Sequence, residues 1–453
     1  MSTSKSEFPD FAADPSRRQF LKRSSLVVAT TAVASQFPFV LTGQAAPDDP
    51  IRIGVIGCGG RGTGAALDAL GAATNVIYPK AGYHTEDVTQ STYAEKNVKI
   101  VALADLFPDR LDRCQAQLKK LNMEIPSEMC FTGFDAYQKL LAVKEINYVI
   151  LATPPHFRAL HLRAAIEAGK NAFMEKPVAV DAPGVRLVIE AGELAKQKNL
   201  GIAAGTQRRH QFSYNETIKR LHDGTIGELL YGCAYWNGGV IWVVEPQPGW
   251  TDMEWQLRNW NYFTWLSGDH IVEQHVHNLD VLNWVMNAHP VKAYAQGGRQ
   301  ARPNKNFGHI YDHFAVEYEY ANGARMFSQC RQMDDCAGRV GEVIVGTKGS
   351  SNCQNFIQVR GGDGWRFSGK DSNAYSQEHL DLINSIRAGK PINEARSVAE
   401  STMTAIMGRE SAYSGQVIEW ETAFNSTKRL GPEKYEMGTI EFPEVAMPGK
   451  YKA

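Results

Sequence analysis

Two groups of residues in this chain have types and spacings that can support chemistry. The first is a glycine set with the spacing G-x-G-x-x-G, in which Gly57, Gly59 and Gly62 enclose Gly60 and Arg61. Glycine tolerates the positive φ of a tight turn and lets an anion approach the backbone, and a following helix N-terminus offers free N–H groups. We expect these five residues to bind the pyrophosphate of a dinucleotide. The alternative is a glycine turn that only joins a strand to a helix.

The second group lies between Gly249 and Val285, a segment that holds five of the nine tryptophans. On a helix, five of its side chains share one face through steps of three and four: His270, Glu273, His277, Asp280 and Trp284. Taking a hydride from a carbinol carbon requires a base for the hydroxyl proton, and a neutral histidine oriented by a carboxylate does this near pH 7. We expect His277 to be the principal acid/base, oriented by Glu273 or Asp280.

Two alternatives stand beside that assignment. His277 can be a buried structural histidine. The set Glu273, His275, His277 and Asp280 also has the residue types of a metal site, but on a helix His275 points away from His277, so the chelate is poor. We therefore expect no metal.

The glycine set needs a strand before it and a helix after it. The apolar run from Ile51 predicts a buried parallel strand, and a helical pattern begins at Ala65. The next strand, Val98 to Asp105, ends in an acid, which binds ribose hydroxyls through two oxygens and repels a 2′-phosphate. Asp105 therefore favours NAD over NADP. Its alternative role is that of a helix cap.

Two later strands end in polar residues. Thr153, Pro154 and His156 follow the strand that begins at Tyr148, and Glu175, Lys176 and Pro177 follow the strand that begins at Asn171. Ligands bind at the carboxyl ends of parallel strands, so we expect Thr153, Pro154 and His156 to contact the cofactor. The alternative for Lys176 is a surface lysine.

The strand–GCGGRG–helix start, the TPPH turn and the stretch AGKNAFMEKPVAVD resemble the Gfo/Idh/MocA oxidoreductase family across the mature chain. The resemblance implies a nicotinamide-dependent enzyme that acts on sugars, polyols or similar substrates. It implies that Lys176 contacts the substrate hydroxyl and the cofactor, where it polarises the oxygen as the partner of His277. It also implies that Glu175 lines the cofactor cleft.

The same family carries a pattern of acid, three residues, histidine, two residues, acid, whose groups face the lysine. Glu273, His277 and Asp280 match these positions. Glu273 stands where aspartate is usual, and His275 stands where glycine is usual. The longer acid and the bulkier imidazole leave the geometry toward a substrate open.

Four residues are candidates for contact with substrate. Arg208 and Arg209 follow the strand Gly201 to Gly205 and can anchor a polar or anionic group, although either can instead form a structural ion pair. His275 lies beside the predicted base. Trp265 belongs to an aromatic set that can stack on sugar rings, although several members must be core.

These elements predict an α/β plus α+β chain with two domains. A Rossmann dinucleotide-binding domain covers 48–210, and a domain with a large, mostly antiparallel open sheet covers 211–440. We expect the helix Ser397 to Ser414 to pack back on the first domain. The resemblance implies a homo-oligomer formed through the second sheet.

Residues 1–46 read as a leader rather than as part of the fold. Ser16 to Lys22, SRRQFLK, resembles a twin-arginine export signal, and small residues suit cleavage near Ala45–Pro47. We expect a periplasmic protein that is exported folded, without a permanent membrane span; the alternative is an uncleaved anchor. The seven cysteines show no C-x-x-C spacing and are expected to be reduced. The net charge of −1 gives no indication of nucleic-acid binding.

The leading hypothesis is an NAD-dependent oxidoreductase that acts on a sugar or sugar derivative. Because the periplasm holds little free NAD, we expect the cofactor to be tightly retained. A second hypothesis is redox-neutral glycoside cleavage, in which a transient keto-sugar permits elimination of the glycosidic bond. A third is a non-catalytic sugar-binding protein.

Overall fold

The structure of the protein is a computed structural model, which describes residues 50–71, 74–77, 85–88, 97–302 and 304–453. The predicted leader and its cleavage region lie outside the described residues. In the part that is described, no helix has the length and apolar character needed to cross a bilayer. All seven cysteines lie in this part and carry free thiols, four of them buried.

The first sheet has six parallel strands. Their bounds are β1 Ile51–Ile56, β4 Val98–Asp105, β5 Cys130–Thr132, β6 Tyr148–Leu151, β7 Asn171–Met174 and β8 Ile202–Ala204. The spatial order is β5-β4-β1-β6-β7-β8, so the chain changes direction across the sheet between β1 and β6. That switch point is where open parallel sheets bind ligands. Between β1 and β4, β2 (Thr74–Ile77) and β3 (Thr85–Val88) form a separate antiparallel hairpin.

Helices cover both faces of this sheet, which is why every residue of β6 and β7 is buried. They are α1 Gly60–Ala69, α2 Pro108–Lys119, α3 Ala136–Leu141, α4 Pro155–Glu167 and α5 Ala182–Gln197, with α6 Phe212–His222 leading to the second sheet. Local residues fix two of the starts. Pro155 opens α4, and Asp181 caps α5 by accepting a hydrogen bond from the Gly184 N–H.

The second sheet has nine strands and is mostly antiparallel, which confirms the predicted fold class. Its strands are β9 Leu229–Gly238, β10 Lys292–Gly298, β11 His313–Glu319, β12 Arg325–Gln332, β13 Arg339–Gly346, β14 Gly349–Ser351, β15 Phe356–Val359, β16 Trp365–Arg366 and β17 Ile418–Glu419. The one parallel pairing among those described joins β9 to β12. Burial alternates along β10, β11 and β12, so one face of the sheet packs on helices and the other is open.

The tryptophan-rich segment forms short helices between β9 and β10. They are α7 Asp252–Arg258, α8 Thr264–Ser267, α9 His270–Glu273 and α10 Val276–Met286. The predicted continuous helix breaks at Gln274 and His275, where the His275 N–H bonds to the carbonyl of His270, five residues back. This wide turn changes the helical phase between Glu273 and His277.

The chain after β16 connects the two sheets. Helix α11 (Ala374–Arg387) packs against α1, and α12 (Ala395–Ser414) packs against α5, α10 and β10. Helix α13 (Trp420–Phe424) follows, and residues 425–453 run back over α7 and the end of α12. As a result, the described residues fall within one compact unit although they contain two sheets.

Candidate active site

The glycine loop joins β1 to α1 with no room for side chains at two of its positions. Gly57 has φ of 96°, and a Cβ there would lie 2.6 Å from the Ala152 carbonyl carbon. A Cβ on Gly62 would lie 1.7 Å from the Gly57 carbonyl oxygen. Gly57 and Gly59 line a cavity, whereas Gly60 and Gly62 begin α1 behind it. The bare backbone at a helix N-terminus fits the pyrophosphate of a dinucleotide.

Asp105 fixes this loop to the end of β4. Its Oδ2 accepts from the Cys58 N–H at 2.7 Å, and its Oδ1 accepts from the Phe107 N–H at 2.9 Å. Burial raises the pKa of Asp105, although these two N–H groups act against that rise. Asp105 also lines the cavity. A carboxylate has about four acceptor sites, so its turn contacts leave capacity for ribose hydroxyls.

The cavity has a volume of about 630 Å³ and extends from the glycine loop across the carboxyl edge of the first sheet to the second sheet. Ligand sites in proteins commonly have volumes of about 300–1,000 Å³. Ten of the predicted site residues line it: Gly57, Gly59, Arg61, Asp105, Thr153, Pro154, Glu175, Lys176, Glu273 and His277. The residues predicted for cofactor binding and for acid/base chemistry therefore meet in one space.

Lys176 is held at the cavity by Glu273. Its Nζ donates to the Glu273 Oε1 at 3.0 Å and to the Glu273 carbonyl oxygen at 2.6 Å. The two side chains are 15% and 13% exposed, so the pair is largely withdrawn from water. The Lys176–Pro177 peptide bond is cis. Glu273 thus orients the lysine, whereas the sequence assigned it to the histidine.

His277 comes from α10 and is positioned by an aromatic ring. Trp236, at the end of β9, stacks on it with ring centroids 5.7 Å apart and planes 19° apart. Both side chains line the cavity. The imidazole therefore faces the same space as the Lys176 ammonium, although His277 lies on α10 and Lys176 follows β7 of the first sheet.

Arg61 and Glu175 close the side of the cavity near α11. The Arg61 Nε lies 2.8 Å from the Glu175 Oε1, and its NH2 lies 2.7 Å from the Asp68 Oδ2. Gly205 leaves room for this acid, since a Cβ there would lie 2.4 Å from the Glu175 Oε2. The predicted cofactor residues Arg61 and Glu175 are thus paired with each other.

Asp280, Arg208 and Arg209 do not reach the cavity, which corrects their predicted roles. Arg209 donates two hydrogen bonds to Asp280, at 2.8 and 2.9 Å, and Ser401 donates a third. Arg208 pairs with the buried Glu342 at 2.5 Å. These are the structural ion pairs that the sequence left as the alternative. Their partners lie 71 and 134 residues away along the chain.

His275 does not line the cavity either, so the prediction that it contacts the substrate was wrong. It is fully buried, and its Nε2 lies 2.7 Å from the Ser328 Oγ. Burial lowers its pKa to about 3, so the ring is neutral. Within the described ranges, no group of three or more His, Cys, Asp or Glu side chains is placed to hold a metal ion.

His156 and Trp265 lie behind the cavity wall rather than on it, which corrects two further predictions. The His156 Nε2 lies 2.7 Å from the Tyr435 hydroxyl, and its ring meets the Trp265 ring edge-on at 5.0 Å. Burial lowers the pKa of His156 to about 4. Tyr435 itself lines the cavity, so His156 acts on the site through Tyr435.

Several lining residues were missed by the sequence prediction. Asn261 is fully buried, and neither its Oδ1 nor its Nδ2 has a hydrogen-bond partner among the described residues. Tyr375 and Glu378, one helical turn apart on α11, also line the cavity. The only signal for that pair was its i, i+3 spacing on an amphipathic helix, and no local pattern marked Asn261.

Comparison with known proteins gives two adjoining family matches. Residues 51–205 match the model of the GFO/IDH/MocA oxidoreductase family, NAD-binding Rossmann fold. Residues 214–352 match the GFO/IDH/MocA C-terminal domain. The matches leave out residues 353–453, which supply Tyr375, Glu378 and Tyr435.

The individual relatives share between 26% and 28% of their aligned residues with this chain. The chain is 28% identical to inositol 2-dehydrogenase from Pseudomonas fluorescens over 65% of this chain and 80% of that relative. It is 26% identical to an oxidoreductase from Streptococcus pneumoniae, over 55% of this chain and 63% of that relative. It is 27% identical to a glycosyl hydrolase family 109 protein from Shewanella, over 51% of this chain and 47% of that relative.

Solved structures share the fold. The structure of an oxidoreductase from Agrobacterium radiobacter, in complex with NAD+, L-tartaric acid and magnesium, superposes with a TM-score of 0.59 at 15% identity. The match covers 82% of this chain and 98% of that one.

Proposed function

Because the chain belongs to the Gfo/Idh/MocA oxidoreductase family, we propose that it oxidises a secondary hydroxyl of a sugar or sugar-like polyol with NAD. One observation carries the proposal. Lys176, which follows β7 of the first sheet, and His277, on helix α10, line a single cavity that begins at the glycine loop. Relatives named inositol 2-dehydrogenase support a polyhydroxylated ring as the substrate class.

The side chains divide the work of removing a proton. The Lys176 ammonium, oriented by Glu273, donates a hydrogen bond to the substrate hydroxyl and stabilises the negative charge that develops on its oxygen. His277, stacked on Trp236, accepts the hydroxyl proton. NAD held by the glycine loop and Asp105 would supply the acceptor for the hydride of the carbinol carbon, so that the hydroxyl could become a carbonyl.

The lining of the cavity suits a carbohydrate. The buried Asn261 amide can donate two hydrogen bonds and accept others, which matches neighbouring sugar hydroxyls. Trp242 and Trp260, with ring centroids 5.7 Å apart, add aromatic surface to the same wall. Such rings pack against the C–H faces of sugars.

We also propose NAD rather than NADP, and a cofactor that stays bound between turnovers. The choice is supported by Asp105, which ends β4 and lines the cavity, because a carboxylate at that strand end repels a 2′-phosphate. Retention follows from the export proposed for the chain on its SRRQFLK stretch, Ser16 to Lys22, because the periplasm offers little NAD for exchange. Changing Arg17 and Arg18 together to lysine should leave the tagged full-length protein in the cytoplasmic fraction.

The cavity and the cofactor are tested together by purifying the protein without added nucleotide. The released small molecules are identified by chromatography and mass spectrometry. The protein is then incubated with NAD+ or NADP+ and a panel of inositols, aldoses and glycosides. Bound NAD and growth of absorbance at 340 nm with one sugar class support the proposal. The absence of any bound nucleotide, of nucleotide binding and of turnover would contradict it.

A second function is favoured by the match to a glycosyl hydrolase family 109 protein. In this version, a ring hydroxyl is oxidised to a ketone, which makes the adjacent C–H acidic. That carbon loses its proton, the glycosidic C–O bond breaks, and the aglycone leaves by elimination. Water then adds, and the two electrons return to the sugar, so the cofactor ends unchanged. Release of an aglycone from a nitrophenyl glycoside without net growth at 340 nm would distinguish this reaction from dehydrogenation.

A further inference from the structure

Glu378 is a buried acid that the proposed chemistry does not use. It lies in the second turn of α11, is 1% exposed and lines the cavity. Its Oε2 has no hydrogen-bond partner among the described residues. Burying a carboxyl oxygen without a hydrogen-bond partner destabilises the protein. A ligand that donates a hydrogen bond to this oxygen would remove that cost, which would favour its binding.

The neighbours of Glu378 determine what kind of ligand suits it. Burial and the charge of Glu175 raise the pKa of Glu378 well above its usual value, while His210 and Arg61 oppose that rise. Arg61 is already paired with Glu175 and Asp68, and its guanidinium lies 5.3 Å from the Tyr375 ring centroid. This corner holds more acids than bases, which disfavours a phosphate and favours hydroxyl groups.

The order of the strands determines which part of a dinucleotide reaches this corner. The pyrophosphate site lies after β1, and Asp105, the ribose acceptor on the adenosine side, lies after β4. On the other side of β1, Glu175 follows β7 and Gly205 follows β8. Glu378 lines the cavity together with Glu175 and Gly205, so it faces the second nucleoside rather than the adenosine.

We propose that Glu378 binds the hydroxyl groups of the ribose attached to nicotinamide. The inference rests on the proposed use of NAD. It assigns α11, which lies beyond both matched family regions, to the binding of the reacting half of the cofactor. Asp105 and Glu378 would then hold the two riboses of one molecule from opposite sides of the glycine loop.

Comparing the binding of three nucleotides distinguishes a contact with the second ribose from a contact with another part of NAD. ADP contains neither the second ribose nor the nicotinamide, ADP-ribose adds the ribose, and NAD+ adds both. Binding of each to the full mature chain is measured by titration calorimetry for the wild type, Glu378→Leu and the near-isosteric Glu378→Gln. Gln377→Ala is the matched control, because Gln377 lies on the same helix and its side-chain amide donates to Asp381 instead of lining the cavity.

We expect Glu378→Leu to weaken ADP-ribose and NAD+ roughly tenfold, the effect of one lost hydrogen bond to a buried acid, and to leave ADP unchanged. Glu378→Gln should stay within about threefold of the wild type, because an amide can still bond a hydroxyl. Gln377→Ala should change none of the three.

Weakening of NAD+ alone would place the contact on the nicotinamide ring and overturn the inference. Equal weakening of all three nucleotides would show a structural effect of the substitution and overturn it as well, as would no weakening. If the wild type binds none of the three, the proposed function itself fails. The two failures are therefore distinguishable.

Discussion

The ammonium group of Lys176 reaches the cavity from the end of β7, the imidazole of His277 reaches it from helix α10, and each is held by a neighbour. Glu273 holds the lysine through two hydrogen bonds, and Trp236 stacks on the histidine. The departure of Glu273 from the usual aspartate gives it a longer side chain at the position that grips the lysine. Proton transfer needs such fixed positions, because a group that swings freely spends little time within reach of the hydroxyl.

Asn261 provides a prediction at this scale. Replacing it with leucine keeps the volume but removes the hydrogen bonds that we assign to sugar hydroxyls, so KM for the sugar should rise roughly tenfold. The affinity for NAD+ should stay unchanged. Steady-state kinetics with the sugar identified from the panel measure the effect.

Asn425→Leu is its control, since Asn425 is exposed and bonds to Glu421 of α13, the helix that ends just before it. An unchanged KM in Asn261→Leu, or an equal rise in the control, would contradict the assignment of Asn261 to sugar binding.

Several of the predicted site residues lie at the cavity, because their positions depend on local structure. The glycine loop and Lys176 come after mostly apolar strands and Asp105 ends another, and such strands are easily recognised. Asp280, Arg208 and Arg209 were misassigned because their ion pairs join residues far apart in the chain. The local sequence around a charged residue does not reveal whether that residue will contact a ligand or form a structural ion pair.

At the scale of elements, the wide turn at Gln274 and His275 explains why the side chains predicted to share one helix face do not do so in the structure. A continuous helix would have placed His270, Glu273, His277 and Asp280 on one face. The hydrogen bond from His275 to His270 widens the turn, so Glu273 and His277 face the cavity, while His270 pairs with the buried Asp269. Helical periodicity in a sequence does not reveal such a turn.

His210 gives a prediction about how the elements hold together. It ion-pairs with Asp381 of α11 at 2.7 Å and with Glu394 before α12 at 3.2 Å. Burial alone would lower the pKa of His210, but Glu394 and Asp381 raise it to about 10. Because the unfolded value is about 6.5, the charged histidine stabilises the fold fully below that pH, and the contribution is lost as pH rises through about 10.

His210→Gln should therefore lower the free energy of unfolding by about 3 kcal/mol at pH 6.5, the cost of breaking a buried pair. The difference from the wild type should shrink as the pH approaches 10. Urea unfolding at pH 6.5, 8 and 10 measures it. A difference that stays constant over this range would show that the pair does not depend on the charge of His210.

At the scale of the whole molecule, the six-stranded and the nine-stranded sheet belong to one compact unit. Helix α11 packs against α1 and β8, and α12 packs against strands of both sheets, so the residues that line the cavity belong to one compact unit. The sequence predicted two domains because it shows two kinds of strand pattern. It did not show that the last hundred residues pack against both sheets, since that depends on contacts between distant segments.

The open face of the second sheet supports the proposed homo-oligomer. Tyr231, Tyr294 and Phe327 expose 44%, 52% and 43% of their surface on this face. Exposed apolar surface of this kind is typical of protein contacts. Phe327→Glu should therefore convert an oligomer to a monomer, because it places a charge inside the interface.

Light scattering after size-exclusion chromatography measures the mass. Met437→Glu is the control, because Met437 is 43% exposed and lies in the segment beside α7 rather than on a strand of the second sheet. A monomeric wild type, or an unchanged mass for Phe327→Glu, would contradict the proposed use of the sheet.

The central claim is that one cavity holds NAD between a lysine and a histidine that move the substrate proton. It is tested most directly by NAD+ affinity and the rate of NAD+ reduction in Lys176→Met and His277→Gln. We predict NAD+ binding within a few-fold of the wild type and reduction slower by about 10²–10⁴-fold in each variant. Reduction at the wild-type rate in both variants would contradict the claim.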